Sequence, residues 1–181
     1  MDFEGWQEQG AAGWDYAHVL PYFRRAETRA EGGDAYRGDE GPLHTQYGRL
    51  KNPLYWAFVE AARQAGYPVT DDYNAAQQEG FGRMDMTVHK GRRWSTANAY
   101  LKPAMRRPNL KVETHALAER ILFEGRRAVG VRYDRGGKRH EVRARREVIV
   151  ASGPINSPAL LKRSGLGPAA ELQAHGIEVL H

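Results

Sequence analysis

The segment GPINSPALLKRSGLG, Gly153–Gly167, determines how the C-terminal part of the chain folds. It follows the continuously apolar run EVIVA at 147–151, which is typical of a strand buried on both faces. Ser157 is a favourable N-cap and Pro158 suits the first helical turn, so the segment predicts a helix. Gly165 suits the left-handed position that ends such a helix. All of these positions therefore have a structural explanation.

Three small residues, Ser152, Gly153 and Pro154, stand between the predicted strand and the predicted helix. In α/β proteins, ligands bind where buried parallel strands end. Small side chains let a ligand approach the main chain, and the N–H groups of a helix N-terminus favour an anion. The residues alone leave two interpretations open, a plain connection and a backbone contact with a ligand.

A nearby run only resembles a dinucleotide fingerprint. The run from Gly165 to Ala170, GLGPAA, satisfies the pattern G-x-G-x-x-A. A dinucleotide-binding loop must follow a strand, whereas this run follows the predicted helix. We therefore interpret it as a helix end followed by a new helix start.

Composition excludes several kinds of site. The chain of 181 residues contains no cysteine, which excludes disulfides, thiolate metal sites and cysteine nucleophiles. Hydrophobic residues make up 41% of the chain, which is enough for a packed core. No apolar run reaches the roughly 18 residues of a membrane span. We expect a cytoplasmic protein, with peripheral attachment to the inner membrane as the open alternative.

The positive charge is concentrated in one block. Between Lys102 and Arg146 there are fourteen lysine or arginine residues and five aspartate or glutamate residues. Such a block suits nucleic acid or an anionic cofactor, but we favour the simpler explanation that the strands carry arginines on their solvent face. Only Phe123 and Tyr133 are available there for stacking on bases, so we expect no nucleic-acid partner.

Local signals place helices in the first half of the chain. Asn52 is a suitable cap for a helix that has Pro53 in its first turn and ends at Gly66. Asp15 is a suitable cap for an earlier helical segment, which Pro21 is expected to divide into two short turns.

Short strands dominate from residue 109 onward. Their sequences are LKVET, RILFE, AVGVRY and RHEVRA, separated by turn residues. Gly136-Gly137 lies between the last two and suits a tight hairpin. The pattern predicts a β meander.

The motif G-P-x-x-S-P-x-L-L-x-x-S-G-L-G, starting at Gly153, resembles the second signature of the glucose–methanol–choline (GMC) oxidoreductases. The stretches LPYFRRAE, GRRWSTANAYLKP, RPNLKV and RRAVGVRY are also similar to that family. Two departures are Ala75, where Gly is usual, and 152–154, where Ala-Gly-Ala is usual. The likeness is greatest to the choline-oxidising members.

The resemblance implies an α/β fold class, with an α+β arrangement within this segment. Residues 1–93 are expected to be a helical and loop region that forms part of the substrate or lid domain. Residues 94–181 are expected to be part of the Rossmann-like FAD-binding domain, with the β meander, the buried strand and the signature helix.

The resemblance also implies an enzyme that oxidises a small-molecule alcohol with FAD, choline being one candidate; the electron acceptor stays open. In the family a histidine takes the hydroxyl proton while hydride passes to the flavin. In the family, that histidine follows the region that matches this chain, and the glycine-rich loop of the Rossmann fold precedes the same region. We therefore expect an internal segment, about the middle third of a family-sized protein, inactive alone and without catalytic residues. The alternatives are a non-catalytic interaction fragment and a basic nucleic-acid-binding module.

Two cofactor contacts follow from the resemblance. Ser152, Gly153 and Pro154 border the FAD in the family, and the main chain at the position of Ala118 meets the adenine. For Ala118 the alternative is an ordinary small residue at the start of a strand. None of the histidines matches the catalytic position: His18, His44, His89, His115, His140, His175 and His181.

Overall fold

The computed structural model describes residues 2–181, which form two compact units. The first unit extends to Lys111, and the second comprises Val112–His181. The division therefore lies further along the chain than the boundary at 93/94 expected from the sequence. The assignment of the two parts to a substrate domain and an FAD-binding domain stays a prediction.

The first unit combines helices with very short strands. Strand β1 pairs in parallel with β2, β2 pairs antiparallel with β3, and β4 and β5 form a separate antiparallel hairpin. In chain order its elements are α1 (Asp2–Glu8), α2 (Tyr16–Ala26), β1 (Glu27–Arg29), β2 (Leu43–Tyr47), α3 (Pro53–Gln64), β3 (Asp85–Met86), β4 (Val88–His89), β5 (Arg92–Arg93), a π-helical turn (Ala97–Leu101) and α4 (Lys102–Ala104).

The second unit is a three-stranded antiparallel sheet with two helices. Its elements are β6 (Leu117–Glu124), β7 (Arg127–Arg135), β8 (Lys138–Arg143), α5 (Gly153–Arg163) and α6 (Ala169–Ala174). The strands follow one another in the order β6-β7-β8, which confirms the predicted meander. Gly136 and Gly137 have φ angles of +63° and +76° and form the expected tight turn.

The end of α5 has the predicted geometry. Gly165 has a φ of +90°, and the N–H of Leu166 donates to the carbonyl of Leu161 at 3.0 Å. This is the hydrogen bond of a Schellman motif. A Cβ on Gly165 would lie 2.5 Å from the carbonyl oxygen of Glu178, so only glycine fits. Because a helix and this terminator precede α6, the apparent dinucleotide fingerprint is only a helix–helix connection.

The start of α5 differs from the prediction. The helix begins at Gly153, one turn earlier than an N-cap at Ser157 would place it. The Ser157 Oγ instead accepts the N–H of Ser152 at 2.9 Å. Ser157 thus stabilises the entry to the helix from inside the helix.

The buried strand expected at 147–151 is wrong for the described residues. The run forms no strand, and the Ile149 side chain is 80% exposed. The predicted strand LKVET at 110–114 is also unpaired. A strand buried on both faces needs covering layers and neighbouring strands. Within residues 2–181 no strand lies beside either run.

The helix signals of the first unit are mostly confirmed. The Asp15 Oδ1 accepts the N–H of His18 at 3.1 Å, and the Asn52 Oδ1 accepts the N–H of Leu54 at 3.0 Å. Gly66 has a φ of +84° after α3. The division of α2 at Pro21 is wrong, because α2 is one continuous helix. Proline removes only one intrahelical hydrogen bond there, and the rest of the helix is retained.

A buried arginine organises the first unit. Arg37 is 3% exposed. It donates two hydrogen bonds to the Glu27 carboxylate, from Nε at 2.9 Å and from Nη2 at 2.6 Å. Its Nη1 donates to Asp72 Oδ2 at 2.7 Å and to Asp85 Oδ2 at 2.8 Å. One guanidinium therefore joins β1, β3 and the segment around Asp72.

Close backbone packing holds Arg37 in this position. A Cβ on Gly38 would lie 1.9 Å from the carbonyl oxygen of Arg24, near the end of α2. Only glycine allows the chain to pass there. No local pattern in the sequence predicted a buried cation at this position.

Substituting Arg37 is expected to destabilise the protein severely. In Arg37→Leu, three carboxylates lose their common cation while remaining partly buried, which should cost about 3–5 kcal/mol of unfolding free energy. Urea unfolding followed by circular dichroism measures this. The control is Arg63→Leu, which breaks an exposed pair with Glu60. Equal losses in the two variants would contradict the role of Arg37.

Stability should also decline in acid through Glu27. Burial opposes ionisation of Glu27, but hydrogen bonds from Arg37 and Thr45 outweigh it and hold the pKa below its ordinary value of 4.5. The ionised carboxylate therefore stabilises the fold above pH 4.5, and this contribution is lost as the pH falls through the lower, folded pKa. Unfolding free energies measured from pH 7 to pH 3 should decline less steeply in Glu27→Gln than in the unchanged protein. Identical slopes would contradict this.

Candidate functional site

The three junction residues lie exposed at the start of α5. Ser152, Gly153 and Pro154 are all solvent-accessible. Gly153 has a φ of +85°, a conformation that glycine adopts without steric cost. Apart from Gly153 itself, its two chain neighbours and the nearby backbone of its own helix, no described atom lies within 4 Å of the position that a Cβ would occupy on Gly153. The main chain at this point is therefore open to a ligand.

The first turn of α5 presents unpaired backbone donors. The N–H groups of a first helical turn have no intrahelical acceptor. Pro154 contributes no N–H, so the donors of this turn belong to Gly153, Ile155 and Asn156. The aligned peptide dipoles also place partial positive charge there. The arrangement suits a negatively charged or hydrogen-bond-accepting part of a ligand.

Ala118 lies on β6, opposite Tyr133 of β7. It is half-buried. Its carbonyl accepts a long hydrogen bond of 3.4 Å from Nη2 of Arg163, and the carbonyl of Glu119 accepts one of 3.3 Å from Nε of the same side chain. The end of α5 therefore contacts the main chain of β6 beside Ala118.

Ser164 provides a stronger connection between helix and strand. It is completely buried. Its Oγ accepts the backbone N–H of Ile121 at 2.8 Å and donates to the carbonyl of Leu160 at 2.7 Å. Sequence reasoning had assigned no role to Ser164. The only available signal was a small polar residue directly before the glycine that ends the helix.

The predicted contacts lie on one helix–strand pair but not in one pocket. Ser152–Pro154 occupy the first turn of α5, whereas Ala118 lies beside its last turn. A helix of 11 residues is about 16 Å long at 1.5 Å per residue. A ligand that contacts both ends must therefore be elongated, as a dinucleotide is.

An open groove of about 510 Å³ lies next to Ala118. Four arginines contribute to its lining: Arg120, Arg132, Arg139 and Arg163. Arg132 contacts Glu141 at 2.9 Å and Arg139 contacts Glu119 at 3.4 Å. Strand β8 is exposed along its whole length. The basic block therefore includes arginines on the solvent face of the sheet, several of them paired with carboxylates.

Residues 2–181 contain neither a candidate metal site nor a candidate membrane span. No group of three or more histidine, aspartate or glutamate side chains there is arranged to hold a metal ion. No helix in the same range is both long enough and apolar enough to cross a membrane.

Comparison with known proteins gives close relatives. The chain is 56% identical to the oxygen-dependent choline dehydrogenase of Brucella anthropi over 179 residues, which is 99% of this chain and 32% of that protein. It is also 56% identical to the mitochondrial choline dehydrogenase of Homo sapiens, covering 99% of this chain and 30% of that protein. The chain thus spans about a third of the length of these curated relatives.

The fold is also similar to that of proteins with solved structures. Pyridoxine 4-oxidase from Mesorbium loti matches with a TM-score of 0.89 and 33% identity, covering 99% of this chain and 36% of that one. An FAD-dependent oxidoreductase from Chaetomium thermophilum matches with a TM-score of 0.88 and 28% identity, covering 98% and 33%. These matches confirm the predicted fold class.

The sequence profile described as GMC oxidoreductase matches residues 1–177, almost the entire chain. This agrees with the resemblance carried by the motif at Gly153–Gly167. The chain belongs to the GMC oxidoreductase family.

Proposed function

We propose that this chain is part of an FAD-dependent enzyme that oxidises choline, and that Ser152, Gly153, Pro154 and Ala118 contact the FAD through their main chains. The observation that carries the proposal is the open, positive-φ entry to α5 at Gly153. It occurs in a chain that is 56% identical to choline dehydrogenases along 99% of its length.

Relative similarity favours choline over other alcohols. Identity to the choline dehydrogenases of Brucella anthropi and Homo sapiens is 56%, whereas identity to pyridoxine 4-oxidase is 33%. The Brucella protein is named as oxygen-dependent. Oxygen is therefore the first electron acceptor to test.

The residues present fit FAD on physical grounds. Bare main chain at Gly153 allows close approach, and the first-turn N–H groups of α5 favour an anionic part of the ligand. Strand β6 lies at the edge of its sheet, so within residues 2–181 one side of its main chain has no partner strand. The separation along α5 suits an elongated cofactor that contacts both places.

In the proposed enzyme, FAD and the residues of this chain have different roles. Bound FAD supplies the acceptor for the hydride of the alcohol. In this chain, Ser152–Pro154 and Ala118 bind and orient, and the Ser164 hydroxyl keeps α5 and β6 in fixed positions. Our proposal does not include, among residues 2–181, a base that takes the hydroxyl proton of the alcohol.

The variant Gly153→Ala in the intact protein tests the cofactor site. A Cβ at a φ of +85° should cost about 1–2 kcal/mol and should also narrow the approach to the main chain. We expect FAD to bind at least tenfold more weakly, measured by flavin fluorescence quenching.

The matched control is Gly176→Ala. Gly176 has a φ of +67° after α6, also with no atom within 4 Å of a Cβ position, so it carries similar backbone strain. Its FAD affinity should be unchanged. Equal losses of affinity in both variants would show that Gly153 acts only through stability.

The substrate is tested separately with the unchanged protein. Adding choline without oxygen should bleach the absorbance of the bound flavin, and pyridoxine at the same concentration should do so far more slowly. Bleaching by pyridoxine alone would contradict choline as the substrate.

A further inference from the structure

The first unit carries an open groove of about 860 Å³ that the proposed function does not use. His89, Trp94, Asn98 and Pro103 form part of its lining. Five cationic side chains also line it: Lys90, Arg92, Arg93, Lys102 and Arg106. We call this surface the basic groove.

The charges of the basic groove are not neutralised by the chain. Among the ion pairs formed within residues 2–181, none involves any of its five cations. In the described part of the chain, the one side-chain hydrogen bond that these cations make runs from Lys102 Nζ to Asn98 Oδ1, at 2.5 Å. Elsewhere arginines such as Arg37, Arg132 and Arg143 contact carboxylates. A concave surface with one sign of charge attracts a counter-ion.

A tight hairpin places three of the cations. Lys90 and Gly91 form the turn between β4 and β5, with φ angles of +50° and +75°. A positive φ is uncommon for a residue other than glycine, so the backbone at Lys90 is constrained. The register pairs His89 with Arg92, which brings the hairpin residues close together.

Aromatic contacts support the base of this hairpin. The Trp94 Nε1 donates to the carbonyl of Pro42 at 2.8 Å, and the ring of His89 stacks on that of His44 with centroids 3.8 Å apart. Burial, followed by the charges of His89 and Lys90, holds the pKa of His44 below its ordinary value. The positive charges of the hairpin thus also act on the ring behind it.

We propose that the basic groove binds a phosphate-bearing anion about the size of a diphosphate. The cations come from two elements, the β4–β5 hairpin and the segment Lys102–Arg106 at α4, so one anion with two charged groups can contact both. Arginine guanidinium groups match pairs of phosphate oxygens in bidentate geometry. The lining of the groove includes neither Ser152–Pro154 nor Ala118, and the proposal holds whether or not those residues bind FAD.

The same phosphate chemistry occurs in soluble diphosphates and in the headgroups of anionic lipids. Inorganic pyrophosphate, titrated into the intact protein by isothermal calorimetry, is the probe for the soluble form. Vesicles of phosphatidylcholine with and without phosphatidylglycerol, tested by co-sedimentation, are the probe for the lipid form.

The double variant Arg92→Gln/Arg106→Gln tests the groove. Neither side chain makes a hydrogen bond or ion pair within residues 2–181, so the substitutions should not affect folding. We expect pyrophosphate to bind at least tenfold more weakly. In the unchanged protein, binding should weaken as salt rises from 50 to about 500 mM, because salt screens exposed charges.

The matched control is Arg126→Gln/Lys138→Gln. These exposed side chains lie at the turns of the β6–β7 and β7–β8 hairpins, and neither has a side-chain partner in the described part of the chain. The change in net charge is the same, and pyrophosphate affinity should stay within twofold.

The outcomes are distinct. A loss confined to the groove variant supports the proposal. Equal losses in both double variants would show a general effect of net charge and overturn it. Absence of pyrophosphate binding also overturns it. If vesicles bind and pyrophosphate does not, the ligand is a lipid surface and not a soluble anion.

Discussion

The second unit depends on the buried hydroxyl of Ser164. It accepts the backbone N–H of Ile121 and donates to the carbonyl of Leu160, which joins the end of α5 to the middle of β6. An unpaired buried N–H costs about 1–3 kcal/mol, so this contact strongly favours one position of the helix on the strand. Both proposed FAD contacts lie on these two elements. Their relative positions therefore follow from a side chain that touches neither of them.

The first unit uses the same principle with charges. Arg37 connects Glu27, Asp72 and Asp85. In the described part of the first unit, the buried hydrophobic residues are Val19, Ala62 and Ala99, which do not form a large apolar core. Buried hydrogen bonds and ion pairs favour one arrangement of the chain, because a misplaced partner leaves a buried charge or N–H unsatisfied.

The features predictable from the sequence were those with local causes. The cap at Asn52, the hairpin at Gly136-Gly137 and the terminator at Gly165 each depend on residues within one turn, and the structure contains all three. The prediction of a buried strand at EVIVA, 147–151, was wrong. An apolar run forms a buried strand only where neighbouring strands pair with it, and residues 2–181 contain no such strand. Arg37 was missed for a related reason, since its three carboxylate partners lie 10 to 48 positions away along the chain.

The candidate site also combines features that the sequence revealed with features that only the structure shows. The small residues at 152–154 were visible in the sequence, but the positive φ of Gly153 and the role of Ser164 became visible only in three dimensions. The central claim is that FAD contacts the main chain at two places, at Gly153 at the start of α5 and at Ala118 on β6, beside the end of that helix. A crystal structure of the intact protein with FAD bound tests it most directly. The account predicts FAD atoms within about 4 Å of the backbone at Gly153 and at Ala118. An FAD bound elsewhere, with both stretches of main chain exposed to solvent, would contradict it.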